Sequence, residues 1–330
     1  MAAPYRFLPL LLAAGLLAAG AAAYAQAYPS RPITIVVPFP PGGPVDATTR
    51  MVTERMKDRL GQPLIVDNIG GAAGSIAAGK VAKAKPDGYT LLAGIWSTQV
   101  ANAAIYKLPY DVEKDFEPIV LVSSNPLLIV ARGDAPAADL KGLVAWLKAN
   151  PGKASQGTSG VGSVGHVAGL LFQKETGTQF QFVPYRGLAP AMQDLMAGTI
   201  DLMFDTPATS LPQLKTGRIK AYAVTAGSRL ASAPNIPTVD EAGFPSLHAY
   251  TWTAFFAPKG TPKDVVQKLT AAAMEALADP GLKARLSEIG QEVYPREQQP
   301  AAALAALHRA DMAKWLPLIR AAHITAEPGN

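Results

Sequence analysis

The sequence predicts an α/β protein built as two lobes of alternating strands and helices, with a ligand cleft between the lobes. The chain has 330 residues, 49% of them hydrophobic, and this length favours two domains over one. Short β-branched runs alternate with amphipathic segments, which is typical of parallel βαβ units with right-handed crossovers. The apolar stretch from Pro118 to Val130 is interrupted by Ser123-Ser124-Asn125-Pro126. We interpret this as a strand that breaks and restarts where the chain passes between lobes.

The N-terminus predicts a secretory signal peptide over residues 1–27. Arg6 precedes an apolar run from Phe7 to Ala23, and Ala23-Tyr24-Ala25 and Ala25-Gln26-Ala27 are both small-x-small cleavage patterns. The mature chain would start at Gln26 or Tyr28. The alternative is an uncleaved membrane anchor, but the run of about 17 residues is short of the roughly 20 that a spanning helix needs.

The first lobe is predicted to follow directly. Strands are expected at Ile33–Val37, Leu64–Val66 and Tyr89–Ala93, and helices at Val45–Leu60, Ser75–Lys83 and near Val100–Ile105. Three strand ends in this series carry small, polar or glycine-rich loops, namely 40–46, 70–75 and Ser97-Thr98. Ligands of open parallel sheets bind at the carboxyl ends of the strands, so these loops predict one edge of a binding site.

The loop after the first strand is the strongest single signal. Gly42, Gly43 and Val45 can offer backbone N–H groups at a helix start, an arrangement that suits an anion, whereas Pro44 has no N–H to donate. Asp46 lies in the first helical turn, where an acid is favoured by the helix dipole and could also meet a ligand amine or hydroxyl. The alternative is a stiff turn that binds nothing.

A second βα series is predicted to form the other lobe. Strands are expected at Ser155–Thr158, Phe180–Val183, Ile200–Phe204 and Ile219–Val224, and helices at Leu140–Ala149, Ser163–Glu175, Gly187–Ala197 and Leu211–Lys215. The chain then returns through a strand at Tyr250–Phe256 to helices at Pro262–Ala278, Pro280–Ile289 and Pro300–Arg320. The first lobe would therefore comprise residues 28–124 plus 253–330 and the second lobe residues 125–252. Hinges are expected at about Ser123 to Asn125 and near Tyr250.

One motif in the second lobe raises a competing function. Gly160-Val161-Gly162-Ser163-Val164-Gly165 matches the dinucleotide-binding pattern G-x-G-x-x-G between a strand and a helix. That fold expects an acid after the next strand, where this chain has Pro184-Tyr185-Arg186, and its motif usually opens the domain. We therefore interpret the loop as a second helix start that accepts an anion, facing the first loop across the cleft.

The roles of several titratable residues allow more than one interpretation. His166 is either a packed helix-end histidine or a ligand contact, and Asp205 either caps the next helix or accepts from a ligand. Arg186 could pair with a ligand carboxylate. Trp96 and Trp252 are expected in the core.

Composition and missing motifs narrow the function further. The sequence contains no G-x-S-x-G elbow, Walker loop or metal-binding histidine spacing, so nothing in it argues for an enzyme. The chain has no cysteine, which excludes disulfides and Cys-ligated zinc. No cofactor or metal is expected. The net charge is +5 without a basic block, so no nucleic-acid partner is expected.

These motifs, taken in order, resemble one family. They are Tyr28-Pro29-Ser30-Arg31-Pro32-Ile33, Pro38-Phe39-Pro40-Pro41-Gly42-Gly43 with Asp46 and Arg50, Asn68 with Gly70-Gly71-Ala72-Ala73-Gly74, Pro86-Asp87-Gly88-Tyr89-Thr90-Leu91, His166 with Gly169-Leu170-Leu171-Phe172, Val183-Pro184-Tyr185-Arg186-Gly187 with Pro190-Ala191 and Asp194-Leu195, Gly198 with Asp201, and Phe204-Asp205. The chain thus resembles the Bug-type extracytoplasmic solute receptors, the substrate-binding proteins of tripartite tricarboxylate transporters. Pro44 and Ile69 depart from the family pattern and limit inference about the ligand.

The resemblance implies a type II periplasmic-binding fold that closes on one small carboxylate: a di- or tricarboxylate, an acidic amino acid or an aromatic acid. It implies ligand contacts from the first lobe at Phe39, Gly42, Gly43, Ala72, Gly74, Ser75 and Ser97 or Thr98. It implies contacts from the second lobe at Ser159, Gly160, Ser163, His166 and Asp205. We expect a periplasmic, non-enzymatic monomer that hands its ligand to membrane transporter subunits. The alternatives are a ligand sensor that feeds a signalling partner, or an exported enzyme on the same scaffold.

Overall fold

A computed structural model describes residues 28–185, 187–322 and 324, so the predicted signal peptide lies outside the described residues. The strands are β1 (Ile33–Val37), β2 (Leu64–Asn68), β3 (Thr90–Ile95), β4 (Phe116–Pro126), β5 (Leu128–Arg132), β6 (Ser155–Thr158), β7 (Gln181–Pro184), β8 (Leu202–Asp205), β9 (Ile219–Val224), β10 (Tyr250–Pro258) and β11 (Glu292–Val293). The α-helices are α1 (Pro44–Leu60), α2 (Ser75–Ala82), α3 (Asn102–Ile105), α4 (Leu140–Ala149), α5 (Val164–Thr176), α6 (Leu188–Ala197), α7 (Pro207–Leu214), α8 (Lys263–Ala276), α9 (Pro280–Glu288) and α10 (Ala301–Ala321).

The described strands form two sheets. The first sheet has the order β11-β4-β10-β3-β1-β2 and the second has the order β7-β6-β8-β5-β9. The predicted parallel βαβ units are present, because β1 pairs in parallel with β2 and β3, and β6 pairs in parallel with β7 and β8. β10 and β5 run antiparallel to their neighbours, so both sheets are mixed.

The connection between the sheets differs from the prediction at one point. The sequence predicted a break at residues 123–126, but β4 continues through Pro126, and Leu127 alone separates it from β5. Ser124 and Asn125 pair with Trp252 and Thr251 of β10, and Ser124 also pairs with Glu292 of β11. These partners lie far along the chain and satisfy the backbone of a polar segment that locally resembles a loop. The division into lobes at 124/125 and 252/253 stays a prediction.

Helix α1 shows how the local sequence sets its bounds. It begins with Pro44 at its first position, where the missing N–H removes no helical hydrogen bond. It ends at Gly61, which adopts a left-handed conformation with φ 65° and donates its N–H to the Lys57 carbonyl. The helix therefore starts beside the glycine loop that follows β1.

The hydrophobic core joins the two sheets. One buried cluster contains Leu92 and Trp252 of the first sheet together with Ile129 and Leu202 of the second. A second cluster packs α1 and α8 against the first sheet, and a third lies on the second sheet beneath α6. No helix in the described part of the chain is long and apolar enough to cross a bilayer.

Candidate functional site

A cavity of about 360 Å³ lies where the strand ends of the two sheets meet. Loops of both sheets and the strands that connect the sheets contribute to its wall. The lining residues are Phe39, Pro44, Val45, Ala73, Ile95, Ser97, Asn102, Asn125, Ser159, Val161, Gly162, Ser163, Val164, Thr206, Thr251, Thr253 and Gln291. Four of the predicted site residues, Phe39, Ser97, Ser159 and Ser163, are among them.

Among the described residues, the lining contains no Asp, Glu, Lys, Arg or His. Its polar groups are the hydroxyls of Ser97, Ser159, Ser163, Thr206, Thr251 and Thr253 and the amides of Asn102, Asn125 and Gln291. The rest of the wall is mostly apolar. An ion that enters this cavity is therefore met by neutral dipoles and not by a counter-charge.

We call residues 38–46, 70–75 and 97–101 the first-sheet loops. In the first of them, the buried Asp46 carboxylate organises the backbone. It accepts from Gly42 N at 2.9 Å, from Asn68 Nδ2 at 3.0 Å and from Arg50 Nε at 3.0 and 3.1 Å. Asn68 Nδ2 also donates to the Phe39 carbonyl at 3.0 Å, which ties the loop to the end of β2.

This network corrects two predictions. The Gly42 N–H was expected to be free for an anion, but it donates to Asp46. The Asp46 carboxylate faces its own loop and does not line the cavity. Burial alone would raise the pKa of Asp46, but the hydrogen bonds from Arg50, Gly42 and Asn68 outweigh it and hold that pKa below its usual range. Asp46 is therefore ionised and supports the loop from behind.

The second of these loops is held in an unusual backbone conformation. Ala72 and Ala73 have positive φ values of 47° and 51°, which cost about 1–2 kcal/mol each for residues with a Cβ. The Gly74 N–H donates to Gly71 O at 2.9 Å and is not free, and the predicted ligand contact of Gly74 stays a prediction. Asn102 Nδ2 donates to Ala73 O and to Ser75 Oγ, both at 3.0 Å. Ala73 and Asn102 line the cavity, whereas the predicted contacts Ala72 and Ser75 do not.

Gly74 is the point at which the three first-sheet loops meet. A Cβ at this position would lie 2.6 Å from Thr98 Cγ2 and 2.8 Å from Pro38 Cβ, and the residue has φ 87°. Only a glycine fits this space and this conformation without a shift of the neighbouring loops.

The third loop is a π-helical turn over Ser97–Ala101. Ser97 faces the cavity, but Thr98 is fully buried and its hydroxyl bonds to the backbone of Ile95, so this residue is not a lining group. His308 Nε2 on α10 bonds to the Gln99 carbonyl at 2.7 Å. This contact holds in place the segment that presents Ser97 and Asn102 to the cavity. Such π-turns are frequent at functional sites.

We call residues 159–163 and 205–206 the second-sheet loops. Ser163 caps α5, since its Oγ accepts from His166 N at 3.3 Å. Ser159, Gly162 and Ser163 line the cavity. The predicted contact Gly160 does not, and its N–H and carbonyl both lie 3.3 Å from Thr158 Oγ1.

The structure favours the interpretation of His166 as a packed histidine at a helix end over that of a ligand contact. Its Nδ1 accepts from Gly162 N at 3.0 Å, and its ring meets Phe182 edge-on with centroids 4.5 Å apart. Burial lowers the pKa of His166 to about 4, so the imidazole is neutral and can accept this bond. It shapes the 159–163 loop from outside the cavity.

Asp205 is also enclosed by protein. Its carboxylate has no exposed surface, Oδ2 accepts from Ser210 Oγ at 2.5 Å, and Oδ1 has no partner among the described residues. Burial raises the pKa of Asp205 to about 7 despite the bonds from Ser210 and Thr206. Thr206, the next residue, lines the cavity instead. Arg186 lies outside the described residues.

Among the described helices of at least eight residues, three begin at the cavity wall. α1 starts at Pro44, α5 follows its cap Ser163, and α7 follows its cap Thr206. Each helix N-terminus carries partial positive charge and unpaired N–H groups. No described lining residue is charged, so these termini favour an anion at the wall, although the ionised Asp46 in the first turn of α1 offsets part of that helix's dipole.

Several lining residues were not predicted from the sequence, because they lie in or next to the strands that connect the two sheets. Thr251 and Thr253 alternate along β10, so a period-2 pattern could have identified them as one face. Asn125 and Gln291 carried no such signal. With the Asn125 amide oriented to donate to Gly290 O at 3.1 Å, its oxygen accepts from Gln291 Nε2 at 3.1 Å. Ser123 Oγ donates to Gln291 Oε1 at 2.8 Å, which completes this amide cluster.

The two tryptophans lie in the core as predicted. Trp96 and Trp252 are each 1% exposed. Trp252 Nε1 donates to Asp311 Oδ2 at 2.7 Å, and Trp96 meets Trp315 edge-on, so both rings anchor α10 on the first sheet. Neither lines the cavity.

Comparison with known proteins identifies similar chains. Residues 48–324 match the model of the tripartite tricarboxylate transporter family receptor. BugT of Bordetella pertussis is 36% identical over 255 residues, which cover 77% of this chain and 78% of that protein. The structure of MatC from Rhodopseudomonas palustris with bound malate has a TM-score of 0.76 at 37% identity, covering 88% of this chain and all of that one. A second R. palustris protein, solved with adipate, has a TM-score of 0.78 at 32% identity, covering 91% and 100% of the respective chains.

Proposed function

This chain belongs to the tripartite tricarboxylate transporter receptor family, and on that premise we propose that it captures a small carboxylate in the periplasm for a membrane transport partner. The family and the two-sheet fold are those of periplasmic solute-binding receptors. We further propose that residues 1–27 direct export and are then removed, and that the mature protein acts as a monomer.

The uncharged cavity with three helix N-termini at its wall carries this proposal. A carboxylate needs several hydrogen-bond donors, and the lining hydroxyls and helix N–H groups can supply them without the desolvation of a buried cation. An ammonium ligand would meet the wrong end of each helix dipole and no carboxylate in the lining. The same argument favours amine-free acids over acidic amino acids.

We infer that the ligand has an apolar middle. Phe39, Ile95 and Val161 add hydrocarbon surface to the cavity wall. The malate bound to MatC and the adipate bound to the second R. palustris protein are small dicarboxylates. We therefore propose a short aliphatic dicarboxylate or an aromatic acid, with one carboxylate on the first-sheet loops and the distal end near Ser159, Ser163 and Thr206.

We also propose that the chain binds its ligand without turnover, and the lining supports this. Among the described residues of the cavity wall, Ser97, Ser159 and Ser163 have no histidine or carboxylate that could activate a hydroxyl as a nucleophile. The output is instead a change of conformation. We propose that a ligand touching both sheets favours a closed form, with the bend where β4 passes into β5 and where β10 begins.

Titration calorimetry of residues 28–330 tests this function. Malate, adipate, citrate and benzoate form the panel, aspartate tests the effect of an amine, and adipamide is the uncharged match of adipate. At least one amine-free acid should bind saturably, and adipamide should not. The radius of gyration from small-angle scattering should fall when that acid is added.

Two variants locate the binding. Ser159→Ala should reduce the affinity for the bound acid about tenfold, the equivalent of about 1.4 kcal/mol, because one hydroxyl donor is lost. Ser232→Ala, an exposed serine outside the cavity, is the matched control and should leave the affinity unchanged. The proposal is wrong if no acid in the panel binds, or if adipamide binds as tightly as adipate.

A further inference from the structure

A second cavity, which we call the rear crevice, has a volume of about 730 Å³. It shares no lining residue with the site described above. Both sheets contribute to it, since Ala226, Gly227 and Ser228 follow β9, whereas Leu121 and Glu292 belong to strands of the first sheet. The site described above explains none of its residues.

The rear crevice lies behind the strands that connect the two sheets. Successive side chains of a strand point to opposite faces. On β4, Asn125 faces the carboxylate cavity, and its neighbours Ser124 and Pro126 face the crevice. On β10, Thr251 and Thr253 face the cavity, and Tyr250 faces the crevice. The two cavities thus occupy opposite faces of the same pair of strands.

The crevice contains a carboxylate that the protein leaves without a partner. Glu292 is half-buried, and among the described residues its side chain has neither an ion pair nor a hydrogen bond. Burial raises the pKa of Glu292, as expected where no cation offsets the loss of hydration. The carboxylate is therefore available to a cation that enters the crevice.

Aromatic side chains accompany Glu292. Tyr250 and Tyr294 both line the crevice, and their phenols lie close enough for Tyr250 to contribute to the raised pKa of Tyr294, of which burial is the main cause. Ring faces attract cations, most strongly where water is partly excluded. A carboxylate beside two phenol rings is the combination that recognises an alkylammonium group.

The charged groups around the crevice are already engaged or are acidic. His248 Nε2 pairs with Asp240 at 2.8 Å. Lys314 Nζ donates to the His248 carbonyl at 2.9 Å and lies over the Trp315 ring. Asp311, which accepts from Trp252, lies near both tyrosines, but burial raises the pKa of Asp311 and the nearby Lys314 ammonium offsets its charge. Among the described residues, no Lys, Arg or His side chain forms an ion pair with Glu292.

We propose that the rear crevice binds a small organic ammonium ion, with its charge on Glu292 and its alkyl part against Tyr250, Tyr294 and Leu307. The volume is within the range of small-molecule pockets, about 300–1,000 Å³. This proposal does not rest on the proposed function, because the crevice and the carboxylate cavity share no lining residue.

Calorimetry of residues 28–330 with n-butylammonium, tetramethylammonium and 1,4-diaminobutane tests the site, and n-butanol is the uncharged control. At least one ammonium should bind saturably, and n-butanol should bind at least tenfold more weakly. Glu292→Gln should reduce the ammonium affinity at least tenfold, and Tyr294→Leu should also reduce it. Glu288→Gln, an exposed glutamate four residues away, is the matched control and should bind as the parent does.

Circular dichroism confirms that each variant is folded, and the carboxylate panel is measured on the same samples. Retained carboxylate binding by Glu292→Gln with lost ammonium binding supports a separate site. The proposal is overturned if no ammonium binds at millimolar concentration, or if the parent, Glu292→Gln and Glu288→Gln bind equally.

Discussion

The two sides of the carboxylate cavity are built differently. The first-sheet loops are linked to one another, because Asp46 joins the loop after β1 to Asn68, Asn102 joins the loop after β2 to the π-turn, and Gly74 lies against both neighbours. The second-sheet loops have mainly local bonds. Gly160 and Ser163 make contacts of 3.3 Å, and His166 bonds to its own loop and packs against Phe182.

This difference suggests how recognition is divided between the two sides. A preorganised set of dipoles binds an anion without a cost of reorganisation at the moment of binding. The first-sheet loops have this character, down to two alanines held in left-handed conformations. The second-sheet loops can adapt to the distal end of a ligand. Four substitutions or conditions test the comparison, using the tightest-binding acid of the panel as ligand.

The largest effect is expected at the point where the first-sheet loops meet. In Gly74→Ala the new Cβ would lie under 3 Å from Thr98 and Pro38, so two loops must move. We expect a loss of about 2–3 kcal/mol in the free energy of unfolding and about 100-fold in carboxylate affinity. Denaturant titration and calorimetry measure the two quantities.

Gly177→Ala is the control for this substitution. Gly177 has φ 64° and ends α5, but a Cβ there meets nothing within 4 Å. It should cost about 1 kcal/mol of stability and leave the affinity unchanged. Equal losses of affinity in the two variants would show that the convergence of loops at Gly74 has no special role.

The next effect is expected from Asp46→Ala. Gly42, Asn68 and Arg50 lose a common acceptor, so the loop after β1 loosens without loss of any lining side chain. Affinity should fall about 10- to 30-fold and stability by about 2 kcal/mol. Asp67→Ala breaks a more exposed pair with Lys80 and should cost less than about 1 kcal/mol, with unchanged affinity. Unaltered affinity in Asp46→Ala would contradict the view that this loop is held ready from behind.

A smaller effect is expected on the adaptable side. Ser163→Ala removes the cap of α5 and one lining hydroxyl, and should cost about 1 kcal/mol of stability and about fivefold in affinity. Asp139→Ala removes the cap of α4, where the carboxylate accepts from Gly142 N at 2.7 Å, away from the cavity. It should cause a similar loss of stability with no change in affinity. If Ser163→Ala weakens binding more than Asp46→Ala does, the two sides have the opposite roles.

The smallest effect is expected from pH, through His166. Burial lowers the pKa of His166 to about 4, whereas an unfolded histidine has a pKa of about 6.5. Between pH 6.5 and pH 4 the histidine is protonated in the unfolded chain but not in the folded chain. The contribution of the neutral His166 to the free energy of unfolding is therefore complete above pH 6.5 and is lost as the pH falls toward 4. The parent should lose about 1 kcal/mol from this group between pH 7 and 5.5.

The difference between the parent and His166→Phe isolates this contribution. The variant removes the titrating group but retains an aromatic ring against Phe182. Between pH 7 and pH 5.5 the denaturation midpoint should fall less in the variant than in the parent. Parallel pH profiles would mean that the imidazole does not stay neutral in the folded chain.

The sequence was informative where neighbours along the chain decide the outcome. β1 has the predicted bounds, Ile33–Val37, because a short β-branched run between prolines and glycines has few alternatives. The glycine-rich loops were located correctly, and Phe39, Ser97, Ser159 and Ser163 do line the cavity. The prediction of family was confirmed, since ordered motifs along the chain are a property of the sequence alone.

Tertiary structure decided how each polar group is used. Whether Gly42 N–H faces a ligand depends on Asp46 and Asn68, and whether residues 123–126 form a loop or a strand depends on β10 and β11. Asn125 and Gln291 meet at the cavity although they are far apart in the chain. The physical reason is that burial propensity and turn chemistry are local, whereas a hydrogen bond belongs to whichever partner the fold brings within about 3 Å. The sequence alone therefore determined the fold class, the family and the positions of the loops, and only the folded chain decided which loop atoms remain available for a ligand.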